Sequence, residues 1–175
     1  IEPYLNRSEL VNRNISTVVN NLIEGAVIVF LVLILFLGNL RAGLIVASVI
    51  PLAMLFAFIM MRVFNVTANL MSLGAIDFGI VVDGSIVILE GILAHIYGKQ
   101  FRGRTLTRKE MDKEVEKGAS GVTRSATFAV LIILIVFFPI LTLNGIEGKY
   151  FTPMAKTLVF CIIGALILSL TYVPM

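Results

Sequence analysis

The chain has 175 residues, of which 58% are hydrophobic and 14% charged, with a mean hydropathy of +1.00 and a formal net charge of +3. A soluble domain is about 45–50% apolar and about 25% charged, so an ordinary soluble core is excluded, and long apolar runs alternating with short polar ones point to a polytopic membrane protein. The net charge is no nucleic-acid footprint: eight of the 14 basic residues lie between Lys99 and Arg124, mixed with four acids, as in a solvated loop.

The chain opens at Ile1 without a signal-peptide pattern and closes at Met175 just after an apolar run, so it reads as an internal piece of a longer protein. Residues 1–17 are polar, with Glu2, Arg7, Glu9 and Arg13, and form a lead-in to the first candidate span, 18–37. Asn20, Asn21 and Glu24 open that span and are given a boundary role. "GNLRAG" (38–43) reads as a tight turn, and 44–61 as the second span, with Pro51 inside it. Proline is tolerated in a membrane helix when neighbours satisfy the freed carbonyl. "RVFNVT" (62–67) is a second short turn, and 68–96 a third, long span.

Residues 97–124 are the one substantial polar stretch. Within it a short helix is expected, with Thr107 as N-cap, Glu110 three residues on, and Gly118 ending it. The fourth span is 125–143, with Pro139 near its end; 144–153 reads as a loop, and 154–173 as the fifth span. The fold class is therefore an all-α membrane protein, a polytopic bundle of about five transmembrane helices. Its parts are the lead-in 1–17, three helices in 18–96, a basic loop with a short helix in 97–124, and two helices in 125–175. Loops 38–43 and 97–124 carry nine Lys and Arg against five on the opposite side, which makes the first side cytoplasmic and the lead-in outward-facing.

The third span holds three acids, Asp77, Asp83 and Glu90, in "GAIDFGIVVDGSIVILEG" (74–91). A carboxylate at the bilayer centre costs roughly 2.5–3.5 kcal/mol. Desolvation favours the protonated form, so such an acid can take up and release a proton. On one helix over 68–96 the middle lies near Val82, which puts Asp83 close to the midplane. Asp77 is then about 9 Å to one side and Glu90 about 10 Å to the other, with Asp83 and Glu90 on nearly one face. That spread suits a proton path better than a metal cage. The alternative is an ion pair that holds the bundle together, but no basic residue of this chain lies at that depth. Gly74, Gly79 and Gly84 flank the acids and read as helix-packing positions, with Ala75, Ser85 and Gly91 also small.

"LMSLGAIDFGIVVDGSIVILE" resembles the fourth transmembrane helix of the resistance–nodulation–cell division (RND) transporters, and is most similar to their heavy-metal efflux branch. "FLGNLRAGLIVASVIPLAML" resembles the turn between that family's second and third helices, and "LNGIEGKYFTPMAKTLVF" its stretch entering the sixth. The resemblance implies transmembrane helices two to six of a proton antiporter in the bacterial inner membrane. It implies a homotrimer joined to a periplasmic adaptor and an outer-membrane channel, exporting metal cations and needing no cofactor. It assigns proton relay to Asp83, with Asp77 and Glu90 as the further acids of the metal branch. It also implies a lysine brought to the aspartates by a helix outside this chain. The family commonly has Asn after the glutamate, where this chain has Gly91. Cobalt, zinc and cadmium are the favoured cargo, with a multidrug or copper/silver exporter as the alternative.

An intramembrane aspartyl protease also uses two buried aspartates, but its dyad shares a proton at close range, and Asp77 and Asp83 are about 9 Å apart in rise. A plain membrane anchor would need no acids. Met54, Met60, Met61 and Met71 could offer thioethers to a soft metal, though methionine more often fills apolar gaps. His95 reads as a polar tip at the headgroups, and Cys161 as a small packed hydrophobe.

Overall fold

The computed structural model describes residues 7–67, 76–98 and 107–175. These form five helices and, among the described residues, no strand: α1 (Arg7–Leu37), α2 (Leu40–Val63), α3 (Phe78–Gly98), α4 (Arg108–Leu141) and α5 (Gly145–Thr171). All five are long and apolar enough to cross a membrane. The shortest, α3 at 21 residues, is about 31 Å long, which matches a hydrocarbon core of about 30 Å.

Short connections with specific caps fix the helix ends. Between α1 and α2 the turn is only Gly38 and Asn39: Gly38 takes φ +59°, and the Asn39 side chain accepts from the Arg41 amide at 3.0 Å. Residues 40–43, expected in the turn, are the first turn of α2. At the other end of α2, Asn65 takes φ +51°. The Val66 amide donates to the Met61 carbonyl at 2.9 Å and that of Asn65 to Arg62 at 3.4 Å, the paired bonds of a Schellman cap.

The core is built from small residues at helical spacing. Ala42, Val46, Val49, Ala53 and Ala57 line the buried stripe of α2, and Ala155, Cys161, Ala165 and Ser169 that of α5. The helix α5 lies against α2, α3 and α4, while α3 packs most extensively on α4. Helix α1 rests on α2 and only touches α3; its Val27, Ile28, Leu31, Val32, Leu35 and Phe36 are exposed. Cys161 is fully buried in the core.

Four further expected boundaries differ from the structure. The polar lead-in is helical from Arg7, so the first span is the continuation of a helix that has already begun. The third helix starts at Phe78 and not at 68; residues 68–75, with Gly74 and Met71, lie outside the described residues. Gly118 does not end a short helix: α4 runs unbroken for 34 residues, because the glycine is buried where α4 crosses α3. A Cβ there would come within 2.8 Å of the Ile92 Cα, so the close approach offsets the helix-weakening effect of glycine, about 1 kcal/mol. Finally, 144–153 is no loop, since α5 begins at Gly145 and carries Pro153 inside it. The Thr157 hydroxyl donates to the Pro153 carbonyl one turn back at 2.8 Å.

Candidate functional site

Helix α3 has two unlike faces. Val81, Gly84, Ser85, Ile88 and Ile92 are buried against the bundle. Asp83, Val87, Glu90, Ala94 and Tyr97, spaced four, three, four and three residues apart, are exposed along the opposite stripe. Asp83 and Glu90 thus share one face, as their seven-residue spacing requires, and that face looks out of the bundle. Neither carboxylate has a hydrogen-bond or ion-pair partner among the described residues.

Asp77 stands apart from that stripe. It precedes the helix, its carboxylate accepts from the Gly79 amide at 2.8 Å, and its carbonyl accepts from the Val81 amide at 3.3 Å. This is N-cap geometry, with the negative charge on the positive end of the α3 dipole. The wheel position expected for Asp77 on a helix over 68–96 therefore does not apply. The middle of α3 is Ile88 rather than Val82, so Glu90 lies about 3 Å from the helix centre and Asp83 about 7.5 Å from it. Asp77 lines a cleft of about 350 Å³ between α1 and the start of α3, opposite Asn21 and Gly25. Asn21, given only a boundary role from its position in the sequence, faces this cleft.

The flanking glycines serve different ends. Gly84 is buried, and a Cβ there would sit 3.5 Å from the Ser169 Oγ and 3.7 Å from a Val130 methyl. Gly79 instead lies over its own cap: a Cβ would be 3.1 Å from the Asp77 Oδ1. The tightest approach on α3 is Gly91, where a Cβ would come within 2.5 Å of Val122 on α4. An asparagine here, the residue that the RND resemblance leads one to expect, has no room while Val122 keeps this place.

Two polar links were not legible from the sequence. The Ser85 and Ser169 hydroxyls, both fully buried, lie 2.7 Å apart and join α3 to α5. Towards the end of α3, the His95 Nε2 is 2.9 Å from the Glu114 Oε2, and Lys117 donates to the other oxygen of that carboxylate at 2.9 Å. His95 is thus a bridge to α4 rather than a free polar tip. Met61 is buried, with its sulfur 3.4 Å from the Thr157 hydroxyl oxygen, so it packs within the protein. Among the described residues no three or more His, Cys, Asp or Glu side chains form a group able to hold a metal ion.

Residues 1–175, the whole chain, match the sequence model of the AcrB/AcrD/AcrF family. The chain belongs to the AcrB/AcrD/AcrF family. It is 52% identical over 169 residues to the cobalt-zinc-cadmium resistance protein CzcA of Cupriavidus metallidurans, covering 96% of this chain and 16% of that protein. It is 47% identical over 175 residues to the nickel and cobalt resistance protein CnrA of the same organism, again with 16% of the relative covered. To the cation efflux system protein CusA of Escherichia coli the identity is 34%, over 96% of this chain and 16% of that one. A crystal structure of a heavy metal efflux pump superposes with a TM-score of 0.82 at 42% identity, covering 98% of this chain and 16% of that one. The chain thus spans about a sixth of the length of the curated relatives it matches. Members of the AcrB/AcrD/AcrF family are RND transporters, not enzymes, and five apolar helices make this piece a multi-pass membrane segment.

Proposed function

We propose that this chain is transmembrane helices two to six, in the family's own count, of the transmembrane domain of a proton-driven heavy-metal exporter. The observation that carries this reading is the outward stripe of α3, where Asp83 and Glu90 face away from the bundle without a partner among the described residues. A bare carboxylate is expensive in hydrocarbon. A face of this kind is intelligible if another helix of the full-length protein covers it and supplies a cation, and if the acids bind and release protons in turn.

In this reading Asp83 is the central proton carrier. Taking up a proton from the outer side removes its charge and weakens its pairing with the covering helix. The helices then repack, and the shift drives the part of the transporter that handles the metal. Proton release to the cytoplasm resets the site. Glu90 extends the path along the same stripe, and Asp77, beside the cleft with Asn21, is the acid nearest the outer end. The basic stretch 97–124 faces the cytoplasm, the membrane is the bacterial inner membrane, and the pump is a homotrimer with a periplasmic adaptor and an outer-membrane channel.

The cargo is a divalent cation of the cobalt, zinc and cadmium group. Identity of 52% to a cobalt-zinc-cadmium resistance protein, against 34% to CusA, supports that choice over the alternatives within the superfamily. The test is metal resistance of cells that carry the full-length parent protein as their sole exporter. Asp83→Asn is expected to insert at the normal level and to lose resistance. Normal resistance in that variant contradicts the assignment.

A further inference from the structure

Helix α3 can present its acids outward only if its rotation about its own axis is fixed, and a buried hydroxyl pair joins it to α5. Ser85 and Ser169 are both fully buried, with Oγ···Oγ at 2.7 Å. The Ser169 hydroxyl also lies 2.7 Å from the Ala165 carbonyl one turn back in α5 and donates to it. A hydroxyl carries one proton, so Ser85 must be the donor between the two serines. The bonds form a directed chain from α3 through Ser169 to the backbone of α5.

The chain stands opposite the acids. Ser85 follows Asp83 by two residues, about 200° around the helix. A roll of α3 that carried Asp83 toward the bundle would carry Ser85 out of contact with Ser169. Gly84, between Asp83 and Ser85, faces the same contact: a Cβ there would sit 3.5 Å from the Ser169 Oγ, in ordinary van der Waals contact.

We propose that Ser85 and Ser169 are positioning residues for the acid face: their hydrogen bond sets the rotation of α3 and joins α3 and α5 into one body that moves together during transport. The proposal rests on the proton-relay reading above. It places the moving surface at the exposed stripe of α3, and not at the contact between α3 and α5.

The test uses the full-length transporter in liposomes, with its native cysteines, including Cys161, replaced by serine. Ser85→Cys and Ser169→Cys together put two thiols where the hydroxyls now meet, within reach of a disulfide. Oxidation in the membrane is expected to crosslink them, and the crosslinked protein to keep its zinc-driven proton flux to within about twofold of the reduced form. Flux that disappears on crosslinking and returns with reductant means that α3 slides along α5, and overturns the proposal. Failure to crosslink overturns the geometry on which it stands.

Ser85→Ala, without the crosslink, separates positioning from packing. The titratable groups on and beside the stripe are Asp77, Asp83, Glu90 and Tyr97, all on α3 or just before it. Release of the rotation changes the surroundings of Asp83, so the pH profile of flux is expected to shift. An unchanged profile reduces the pair to packing and overturns the proposal. Absence of zinc-driven flux in the transporter with neither serine changed would overturn the relay reading itself, together with everything that rests on it.

Discussion

The two faces of α3 are built by opposite rules. The inner face is closed: Ser85 meets Ser169, Gly91 meets Val122, and Ile92 meets Gly118, each at a separation that leaves no space for another methyl group. The outer face is open and carries Asp83 and Glu90. Every polar group on the inner face has its partner within the bundle, as buried hydroxyls require. The acids on the outer face have none among the described residues. A helix that only had to pack would need the first face alone. The second costs solvation energy, and its expense is the reason to read it as functional.

The largest expected effect comes from breaking the closed face. Gly118→Val puts branched carbons against the Ile92 backbone, which cannot turn aside as a side chain can. Overpacking of this kind costs about 3 kcal/mol. A large fall in thermal stability of the detergent-solubilised full-length protein checks it, and wild-type stability would mean that α4 does not cross α3 here. A smaller effect is expected on the open face. Glu90→Gln keeps shape and removes charge, and is expected to lower proton flux about tenfold, about 1.4 kcal/mol in the barrier, without changing stability. A loss of stability instead would turn Glu90 into a structural partner of the covering helix. The smallest effect lies away from both faces. Thr107→Ala removes the hydroxyl that donates to Glu110 at 2.9 Å, and is expected to cost about 1 kcal/mol at the start of α4 while transport continues. Loss of transport there would tie the end of α4 to the coupling step.

Much of this architecture was legible in the sequence because it depends on local chemistry. Gly38 and Asn39 mark a turn, and Thr107 with Glu110 spells a capping box whose side chain–backbone bond is found at 3.0 Å. The shared face of Asp83 and Glu90 follows from their spacing alone. Other features escaped because the residues that decide them are distant. Gly118 looks like a helix end until Ile92, 26 residues earlier, is placed against it. The hydroxyl pair closes over 84 residues of sequence, beyond any local pattern. The start of α3 is a different case. Hydropathy runs on past Phe78 without a break, but an Asp two residues before a Gly amide was a cap signal, and the apolar run around it hid its meaning.

The most direct measurement is metal-driven proton flux in liposomes that hold the full-length transporter, with wild type beside Asp83→Asn and zinc, cobalt or cadmium as the cargo. The account predicts flux that depends on the metal in wild type and is absent in the variant, with both proteins folded to the same extent. Equal flux in the two would contradict it, and would leave Asp83 as an acid on an open face with no part in moving protons.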